Sequence, residues 1–283
     1  MKNYLSLITF SHTIFALPFA LIGFSLGIHQ PGASFEWTDL LLVLACMVFA
    51  RSAAMAFNRY IDSDIDKLNQ RTATREIPSG IIRKKQALIY VILNCVAFVI
   101  AAGLLNRLCL YLSPVALLVI LGYSYTKRFT WLCHFILGIG LALAPIGAYI
   151  AVTETFQILP LIFSFAVFTW VSGFDIIYAL QDEEFDRDHQ LYSLPAKLGK
   201  KNALIVSSII HGITALLIYY AGLYVLFGAA YWIGAGFFTG MLIYQHWLVR
   251  PDDLSRVNRA FFTTNGVASV IFGILVISDL FIF

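Results

Sequence analysis

Two acidic segments end apolar runs in this sequence. The first, NRYIDSDID at 58–66, carries Asn58, Asp62 and Asp66 at intervals of four residues. Successive residues of a helix are rotated by about 100°, so these three side chains fall within about 80° on one helical face. Asp64 points nearly opposite Asp62 and is expected to be a solvated charge on the loop side. The spacing predicts an amide and two carboxylates gathered on one face.

The second acidic segment, DIIYALQDEEFDRDHQ at 175–190, repeats this arrangement. Asp175, Asp182 and Asp186 are separated by seven and four residues. A continuous helix would place them within about 40° of one another, with Tyr178 beside them. The other acids of the segment are expected to be solvated loop residues: Glu183, Glu184 and Asp188.

Carboxylates gathered in this way need a cation, because like charges repel and each carboxylate near lipid is costly to desolvate. Solvated helix ends would account for one acidic cluster. They account poorly for two clusters with matching spacing, and not at all for Asp175 inside an apolar run. Mg²⁺ takes oxygen ligands, typically one or two carboxylates with substrate phosphates and waters. Two facing pairs, Asp62 with Asp66 and Asp182 with Asp186, are therefore predicted to hold Mg²⁺ ions with a diphosphate between them.

Basic residues lie near both acidic segments. Four aspartates, a diphosphate and two Mg²⁺ ions leave a charge of about −3, which nearby cations should offset. Arg71 and Arg75 follow the first segment and are four residues apart, and YSYTK places Tyr123 four residues before Lys127. Lys127 and its neighbour Arg128 are also typical of a membrane anchor, but beside two acidic segments Lys127 becomes a candidate phosphate ligand.

The composition indicates an integral membrane protein. Of the 283 residues 60% are hydrophobic and 12% charged, whereas a soluble domain carries about 25% charged residues. Apolar runs of about 20 residues are predicted to span the bilayer as helices, and runs this long do not fit the shorter alternating strands of a β-barrel. Nine such runs are present: 6–28, 38–60, 86–105, 107–125, 132–152, 158–180, 202–222, 224–248 and 260–282. The fold class is therefore predicted to be all-α with nine transmembrane helices, the first of them retained rather than cleaved as a signal peptide.

The lysines and arginines predict the orientation. All but Arg107 of the 19 fall at the N-terminus, at the ends of the second and eighth runs, or in loops after the second, fourth, sixth and eighth runs. The positive-inside rule makes these regions cytoplasmic and the C-terminus external. Both acidic segments are then predicted on the cytoplasmic side of the cytoplasmic (inner) membrane. The net charge of +3 is mild and gives no reason to invoke nucleic acid.

The chain is predicted to be a single domain over 1–283 with two weakly related halves, because the two acidic segments are 120 residues apart and each precedes a basic loop. The cysteines occur singly, without a C-x-x-C pair, so neither a disulfide framework nor a zinc site is indicated. The histidines are scattered, and His134 and His211 are given no role although both could face the bundle interior. The oligomeric state is left open.

Three motifs in order resemble the UbiA superfamily of intramembrane aromatic prenyltransferases, and within it the 4-hydroxybenzoate polyprenyltransferase-like group. The family's N-D-x-x-D-x-x-x-D is present as NRYIDSDID, followed by the family-like RTATREIPSG. Its Y-x-x-x-K is present as YSYTK, and its D-x-x-x-D as DEEFD after DIIYALQ. The resemblance covers nearly the whole chain. It implies nine helices around a central cavity and Mg²⁺-dependent transfer of a polyprenyl group from its diphosphate to 4-hydroxybenzoate or a related precursor of ubiquinone or menaquinone.

The resemblance also implies roles for residues. Lys127 and Tyr123 correspond to residues that hold the diphosphate and aid its departure, and Asp175 to one suggested to activate the aromatic acceptor or take its proton. Arg59 departs from the family, which usually has Asp directly after the Asn, although some menaquinone-pathway relatives look similar here. The metal ligands implied are Asp62, Asp66, Asp182 and Asp186, and the further substrate-binding residues are Asn58, Arg59, Arg71, Arg75 and Tyr178.

Other functions remain open at this stage. An ion-coupled transporter would also carry intramembrane acids, but its acids and broken helices are expected near the bilayer midplane. A CDP-alcohol phosphotransferase also binds Mg²⁺ and diphosphate groups, but its D-G-x-x-A-R core is absent. Within the family, enzymes acting on dihydroxynaphthoate or producing haem O are alternatives that DIIYALQD makes less favoured.

Overall fold

The computed structural model describes residues 15–282, and this part of the chain is built from helices. The one ladder-type contact in these residues is an isolated bridge between Arg250 and Asp253. A 3₁₀ turn at Leu180–Asp182 and a π-helical turn at Arg259–Thr264 interrupt the α-helices. The ten α-helices are α1 Leu17–Ile28, α2 Trp37–Asp66, α3 Lys84–Leu105, α4 Arg107–Thr126, α5 Cys133–Thr153, α6 Ile158–Ala179, α7 Glu183–Asp188, α8 Leu194–Val225, α9 Ala229–Leu248 and α10 Asn265–Ile282.

Within residues 15–282, seven helical segments are long and apolar enough to cross a membrane, so the chain is an integral membrane protein. They comprise α2 to α5, α6 continued through α7, α8, and α10 with the preceding π turn. The predicted first run begins in residues 1–14, outside the described part, and α1 covers its second half. The predicted eighth run coincides with α9, which is apolar but not among the seven. The prediction of an all-helical membrane fold is confirmed, whereas nine spans and a central cavity stay predictions.

The described chain divides into two compact units, and the first comprises residues 36–125. It contains α2, α3, α4 and the loop between α2 and α3. Ile77 and Ile82 from this loop pack with Ala56 of α2 and with Ala87 and Val91 of α3 in one apolar cluster. The loop is therefore anchored on its own unit rather than being a free linker.

The second unit comprises residues 14–35 and 126–283, described here for 15–35 and 126–282. It contains α1 and α5 to α10. Its core is a set of aromatic rings centred on Trp170 of α6, with Phe19 at 5.4 Å and Phe238 at 5.4 Å between ring centroids. Phe272 of α10 lies 5.8 Å from Phe19. Aromatic pairs at these separations add favourable contacts beyond their buried area.

A glycine allows α5 and α6 to approach closely. A Cβ atom added at Gly138 would contact the Ser172 hydroxyl and lie 2.7 Å from the Phe168 carbonyl oxygen. Small residues at such crossings are typical of membrane helices, because without a water-driven hydrophobic force the helices rely on close packing. Gly147 lies on the same helix but would carry a Cβ in open space. Gly138 therefore sets the spacing of α5 and α6, while Gly147 does not.

We expect Gly138→Leu to destabilise the protein by about 1–3 kcal/mol, because the new side chain forces α5 away from α6. Thermal unfolding of the detergent-purified protein measures the effect as a lowered Tm. Gly147→Leu is the matched control and should leave the Tm close to that of the wild type. Equal losses in the two variants would contradict the role of Gly138 in helix spacing.

Candidate functional site

The first acidic segment forms the end of α2, which continues through Asp66 as the sequence predicts. Asp62 and Asp66 are buried, at 2% and 4% exposure, and the Asn58 side-chain amide donates a 3.1 Å hydrogen bond to Asp62. The Asp64 carboxylate is 74% exposed and pairs with Lys84 at 2.8 Å. The predicted separation of Asp64 from the other two acids is confirmed, although Asp64 lies on the helix rather than in a loop.

Asp66 is held by Arg75 from the loop that follows α2. One guanidinium nitrogen, Nη1, donates to both carboxylate oxygens at 2.8 and 2.9 Å. The Thr72 hydroxyl donates to the Asp66 carbonyl oxygen at 3.0 Å, which ties the same loop to the helix end. Arg71 is exposed, and its backbone N–H donates to the Asn69 side chain at 2.9 Å. The structure thus places Arg75 at the acidic face and Arg71 on the loop surface.

Two arginines of α2 present buried donors that have no acceptor among the described residues. They are the Nε of Arg51 and the Nε and Nη1 of Arg59. Arg51 precedes Asn58 by seven residues and falls within about 40° of Asn58 and Asp62 on the helix. Tyr123, on α4, is near enough to Arg51 to interact with it electrostatically. A buried donor without an acceptor costs about 1–3 kcal/mol, so these groups indicate a missing anionic partner.

Arg51 was not selected from the sequence, although a signal was available. It is the single charged residue inside the apolar part of the second predicted run, seven residues before the Asn58 that opens the acidic motif. A charged side chain within a membrane helix is costly and usually functional. Because seven residues make two helical turns, Arg51 was predictable on the same face as Asn58, beside the predicted diphosphate.

The second acidic segment departs from the predicted continuous helix. α6 ends at Ala179, a 3₁₀ turn covers Leu180–Asp182, and α7 covers Glu183–Asp188. A 3₁₀ turn rotates each residue by about 120° rather than 100°, so three residues shift the following face by about 60°. Asp175 lies before this turn, whereas Asp182 ends it and Asp186 lies four residues further along the next helix. The prediction that all three share one face by simple helical periodicity is therefore wrong for Asp175.

Glu183 is a second correction in this segment. It is 7% exposed rather than solvated, and its carboxylate pairs with Arg187 at 3.0 Å and with Lys200 at 3.9 Å. Buried acids need such partners, and both cations follow Glu183 in the sequence. Glu184 and Asp188 are exposed, as predicted.

Despite the break in the helix, polar groups of the second unit gather around Asp186. Its carboxylate interacts electrostatically with Asp182, Lys127 and His134, and it hydrogen-bonds the Ser193 side chain. Ser193 is also the N-cap of α8, where its hydroxyl accepts the Ala196 N–H at 3.3 Å. The cap therefore links the start of α8 to the acidic segment and brings Lys127 and the two aspartates together.

Asp175 is paired with His134, a residue given no role from the sequence. The His134 Nδ1 lies 2.7 Å from Asp175 Oδ2, and the imidazole is buried while the Asp175 side chain is 23% exposed. The two residues are 41 positions apart in the chain. The ring of Tyr178, one turn beyond Asp175, packs on Phe261 with 4.2 Å between centroids. In the sequence, His134 is a single histidine within an apolar run, and that pattern does not identify Asp175 as its partner.

Comparison with known proteins assigns the chain to a family. The model of the UbiA prenyltransferase family matches residues 16–267. The chain belongs to the UbiA prenyltransferase family. The predicted resemblance is thereby confirmed, as is the prediction that the chain is an enzyme, a prenyltransferase.

Two curated UbiA relatives are 4-hydroxybenzoate octaprenyltransferases. The one from Aliivibrio fischeri is 30% identical over 243 residues, 84% of this chain and 83% of that protein. The one from Burkholderia multivorans is 30% identical over 238 residues, 84% of this chain and 82% of that protein.

Solved structures of UbiA homologues share the fold. The apo structure of a UbiA homologue from Aeropyrum pernix has a TM-score of 0.85 and 34% identity, covering 95% of this chain and 98% of that chain. A UbiA homologue from Archaeoglobus fulgidus, bound to DMAPP and Mg²⁺, has a TM-score of 0.75 and 21% identity, covering 99% of this chain and all of that chain. At that identity the second likeness concerns the fold alone.

The oxygen donors of both acidic segments fit a hard divalent cation. The first segment offers the amide of Asn58 with the buried carboxylates of Asp62 and Asp66, and the second offers Asp182 with Asp186. Within residues 15–282, no group of three or more His, Cys, Asp or Glu side chains is arranged to hold a metal. Each segment instead supplies two carboxylates, the number that Mg²⁺ commonly takes from a protein alongside substrate phosphates and water.

We expect Arg75→Ala to release the loop between α2 and α3, because the Asp66 pair is its charge-assisted link to the helix. Such a hydrogen bond contributes about 1.5–3 kcal/mol, so exchange of the amides at 72–82 should become at least about tenfold faster. Hydrogen–deuterium exchange with mass spectrometry measures this change. Arg71→Ala, an exposed neighbour in the same loop, should exchange like the wild type. Unchanged protection in Arg75→Ala would show that the apolar cluster alone holds the loop.

Proposed function

We propose that this UbiA-family protein transfers a polyprenyl group from polyprenyl diphosphate to 4-hydroxybenzoate or a related quinone precursor, in a Mg²⁺-dependent reaction. The curated relatives named above support the acceptor class. The Archaeoglobus homologue, solved with DMAPP and Mg²⁺, supports an allylic diphosphate with a divalent cation as the donor. The length of the prenyl chain and the choice between ubiquinone and menaquinone pathways stay open.

One observation carries the proposal: α2 presents binding groups for a cation and for an anion side by side. Asp62 and Asp66 are buried carboxylates, and Arg51 and Arg59 present buried donors that lack an acceptor within residues 15–282. A metal ion alone would not use the arginines, and an anion alone would be repelled by the acids. A metal–diphosphate complex uses both. This pairing favours prenyl transfer over a site that binds only an ion.

Polar and charged side chains are assigned to the departure of the diphosphate. Asn58, Asp62, Asp66, Asp182 and Asp186 would hold Mg²⁺, which would supply charge neutralisation of the diphosphate leaving group. Lys127 donates to the phosphate oxygens where negative charge grows in the transition state. Tyr123 orients the diphosphate through its hydroxyl. As its bond to the diphosphate oxygen breaks, the allylic carbon acquires cationic character and is attacked by an electron-rich carbon of the aromatic ring.

The acceptor side of the reaction is assigned to Asp175, with Tyr178 as a further contact. One Asp175 oxygen is held by His134, and the carboxylate is partly exposed, so it is suited to accept a proton from the ring or its hydroxyl.

The bilayer location follows from the substrates. A polyprenyl chain is insoluble in water, and exclusion of water from the reacting carbon prevents hydrolysis of the allylic cation. The acidic segments and their basic neighbours lie on the side that the positive-inside rule assigns to the cytoplasm. The soluble aromatic acid would thus enter from the cytoplasmic side of the inner membrane.

Transport remains the competing class, and the charges argue against it. A proton- or ion-coupled transporter needs acids near the middle of its helices. Asp62 and Asp66 instead occupy the last turns of α2, and Asp182 and Asp186 follow the end of α6. Uptake by proteoliposomes without any chemical product would favour transport.

We expect Asp62→Asn and Asp182→Asn each to lower the rate of product formation by more than about 100-fold, because each removes a charged ligand at the diphosphate. The matched controls are Asp64→Asn and Asp188→Asn. Both of these acids are exposed neighbours in the same segments, and their variants should stay within about twofold of the wild type. Initial rates are compared at equal amounts of folded protein, checked by thermal unfolding. A wild-type rate in Asp62→Asn would show that the first acidic segment does not contribute to the metal site.

The proposal as a whole is tested by incubating the purified protein with a radiolabelled polyprenyl diphosphate and a panel of aromatic acids, with products identified by mass. We expect a prenylated acid to form with Mg²⁺, to be lost on addition of EDTA and to return when Mg²⁺ is restored. A panel that includes 4-hydroxybenzoate, a hydroxynaphthoate and a phenol without a carboxylate separates the acceptor classes. Full turnover in EDTA, or no product from any acceptor, would contradict the proposed function.

A further inference from the structure

His134 and Asp175 form a hydrogen-bonded pair whose proton position follows from a third group. The His134 Nε2 lies 3.2 Å from the backbone nitrogen of Leu194, and its Nδ1 lies 2.7 Å from Asp175 Oδ2. A backbone N–H can only donate, so Nε2 accepts the Leu194 hydrogen bond. The ring proton of His134 must then be on Nδ1, where it is donated to the carboxylate.

The Leu194 N–H belongs to the first turn of α8, whose N–H groups have no acceptor within the helix. These N–H groups carry the positive end of the helix dipole. This end stabilises the lone pair on Nε2 and opposes a second proton there. His134 is therefore a neutral imidazole with a fixed tautomer. It is 3% exposed and lies one turn before Gly138, at which α5 packs closely against α6.

The other Asp175 oxygen, Oδ1, accepts no hydrogen bond from the described residues. With Oδ2 fixed by His134, the carboxylate plane is fixed and Oδ1 has a defined direction. The Asp175 side chain is 23% exposed, so a bound acceptor can reach the carboxylate.

We propose that His134 is a positioning residue for prenyl transfer: it orients Asp175 so that Oδ1 receives the proton of the acceptor. This inference rests on the proposed function. In that reaction the bond between the allylic carbon and the diphosphate oxygen breaks, and a bond from that carbon to the ring forms. The ring carbon then loses its proton to Asp175 Oδ1, which restores aromaticity. The imidazole keeps its own proton throughout, because Nε2 is occupied by the Leu194 N–H.

Two substitutions at this position separate the two hydrogen bonds. In His134→Asn the side-chain amide nitrogen is the same number of bonds from Cα as the histidine Nδ1. It can therefore donate to Asp175, but the shorter side chain cannot reach the Leu194 N–H. In His134→Gln the amide oxygen is as many bonds away as Nε2, so it can accept from Leu194 but leaves Oδ2 without its donor. A purely structural histidine would favour Gln over Asn, or neither. A positioning histidine favours Asn.

We expect His134→Gln to lower kcat by about 10- to 100-fold, in the range seen when a supporting hydrogen bond to a functional group is removed. Its KM for the prenyl diphosphate should stay near that of the wild type. His134→Asn should retain kcat within about threefold. The deficit of His134→Gln should shrink with a ring-fluorinated acceptor, whose proton is easier to remove. His189→Gln, an exposed histidine of the same unit, is the control and should match the wild type.

All rates are compared per folded enzyme, using thermal unfolding to measure the folded fraction. Equal kcat losses in the Asn and Gln variants, or a Gln deficit that is the same for both acceptors, would overturn the inference. Should neither variant fold, ¹⁵N spectra of the wild type labelled at His134 decide it. A neutral Nδ1–H ring supports the inference, and an Nε2–H ring or an imidazolium overturns it. If the wild type prenylates no acceptor in the panel, the failure is that of the proposed function.

Discussion

The cost of burying a carboxylate in an apolar helix governs the local structure around the acids of this protein. A buried carboxylate is tolerated only with cationic or hydrogen-bonding partners. Asp66 has the Arg75 guanidinium, Asp175 has the His134 imidazole, and Glu183 has Arg187 and Lys200. In each case a partner comes from another helix or from a connecting segment. The acids therefore determine where several loops and helix ends lie.

The connections after both acidic segments illustrate this dependence. The loop after α2 is pinned through Arg75 and Thr72 to the last residue of that helix. In the second unit, the segment before α8 is pinned by the Tyr192 N–H, which donates to the Lys127 carbonyl oxygen at 2.7 Å, and by the Leu194 N–H on His134. Residues that are far apart in sequence thereby become fixed neighbours of the acidic groups.

The sequence predicted the features that depend on local periodicity and composition. Apolar runs of about 20 residues gave the helices, and the four-residue spacing of Asn58, Asp62 and Asp66 gave their shared face and the exposure of Asp64. Periodicity failed where the helix type changed, because a 3₁₀ turn after Ala179 leaves no clear mark in the order of residues. It also misplaced Glu183, whose burial depends on Lys200 from the next helix.

The partners of the buried acids were beyond prediction for the same reason. His134 and Asp175 are joined by the packing of α5 on α6, a tertiary contact that neither segment encodes alone. Arg75 was selected as a phosphate ligand because of its charge, yet it binds Asp66 in the structure. The positive charge of Arg75 predicted an anionic partner. Whether that partner is a carboxylate or a phosphate depends on which of them lies within reach of the guanidinium.

Two acids of the second unit, Asp175 and Asp279, differ in how many of their carboxylate oxygens are held by hydrogen bonds. Asp279 of α10 is 2% exposed, and its two oxygens accept the Gly228 and Tyr231 backbone N–H groups at 2.7 and 3.2 Å. It caps the first turn of α9 from a neighbouring helix, and both oxygens are used. Asp175 is also set in an apolar helix, but only one of its oxygens is held. Both oxygens of Asp279 therefore serve to fix the start of a helix, whereas Asp175 keeps one oxygen that no described residue holds. The proposed role of Asp175 as a proton acceptor depends on that second oxygen.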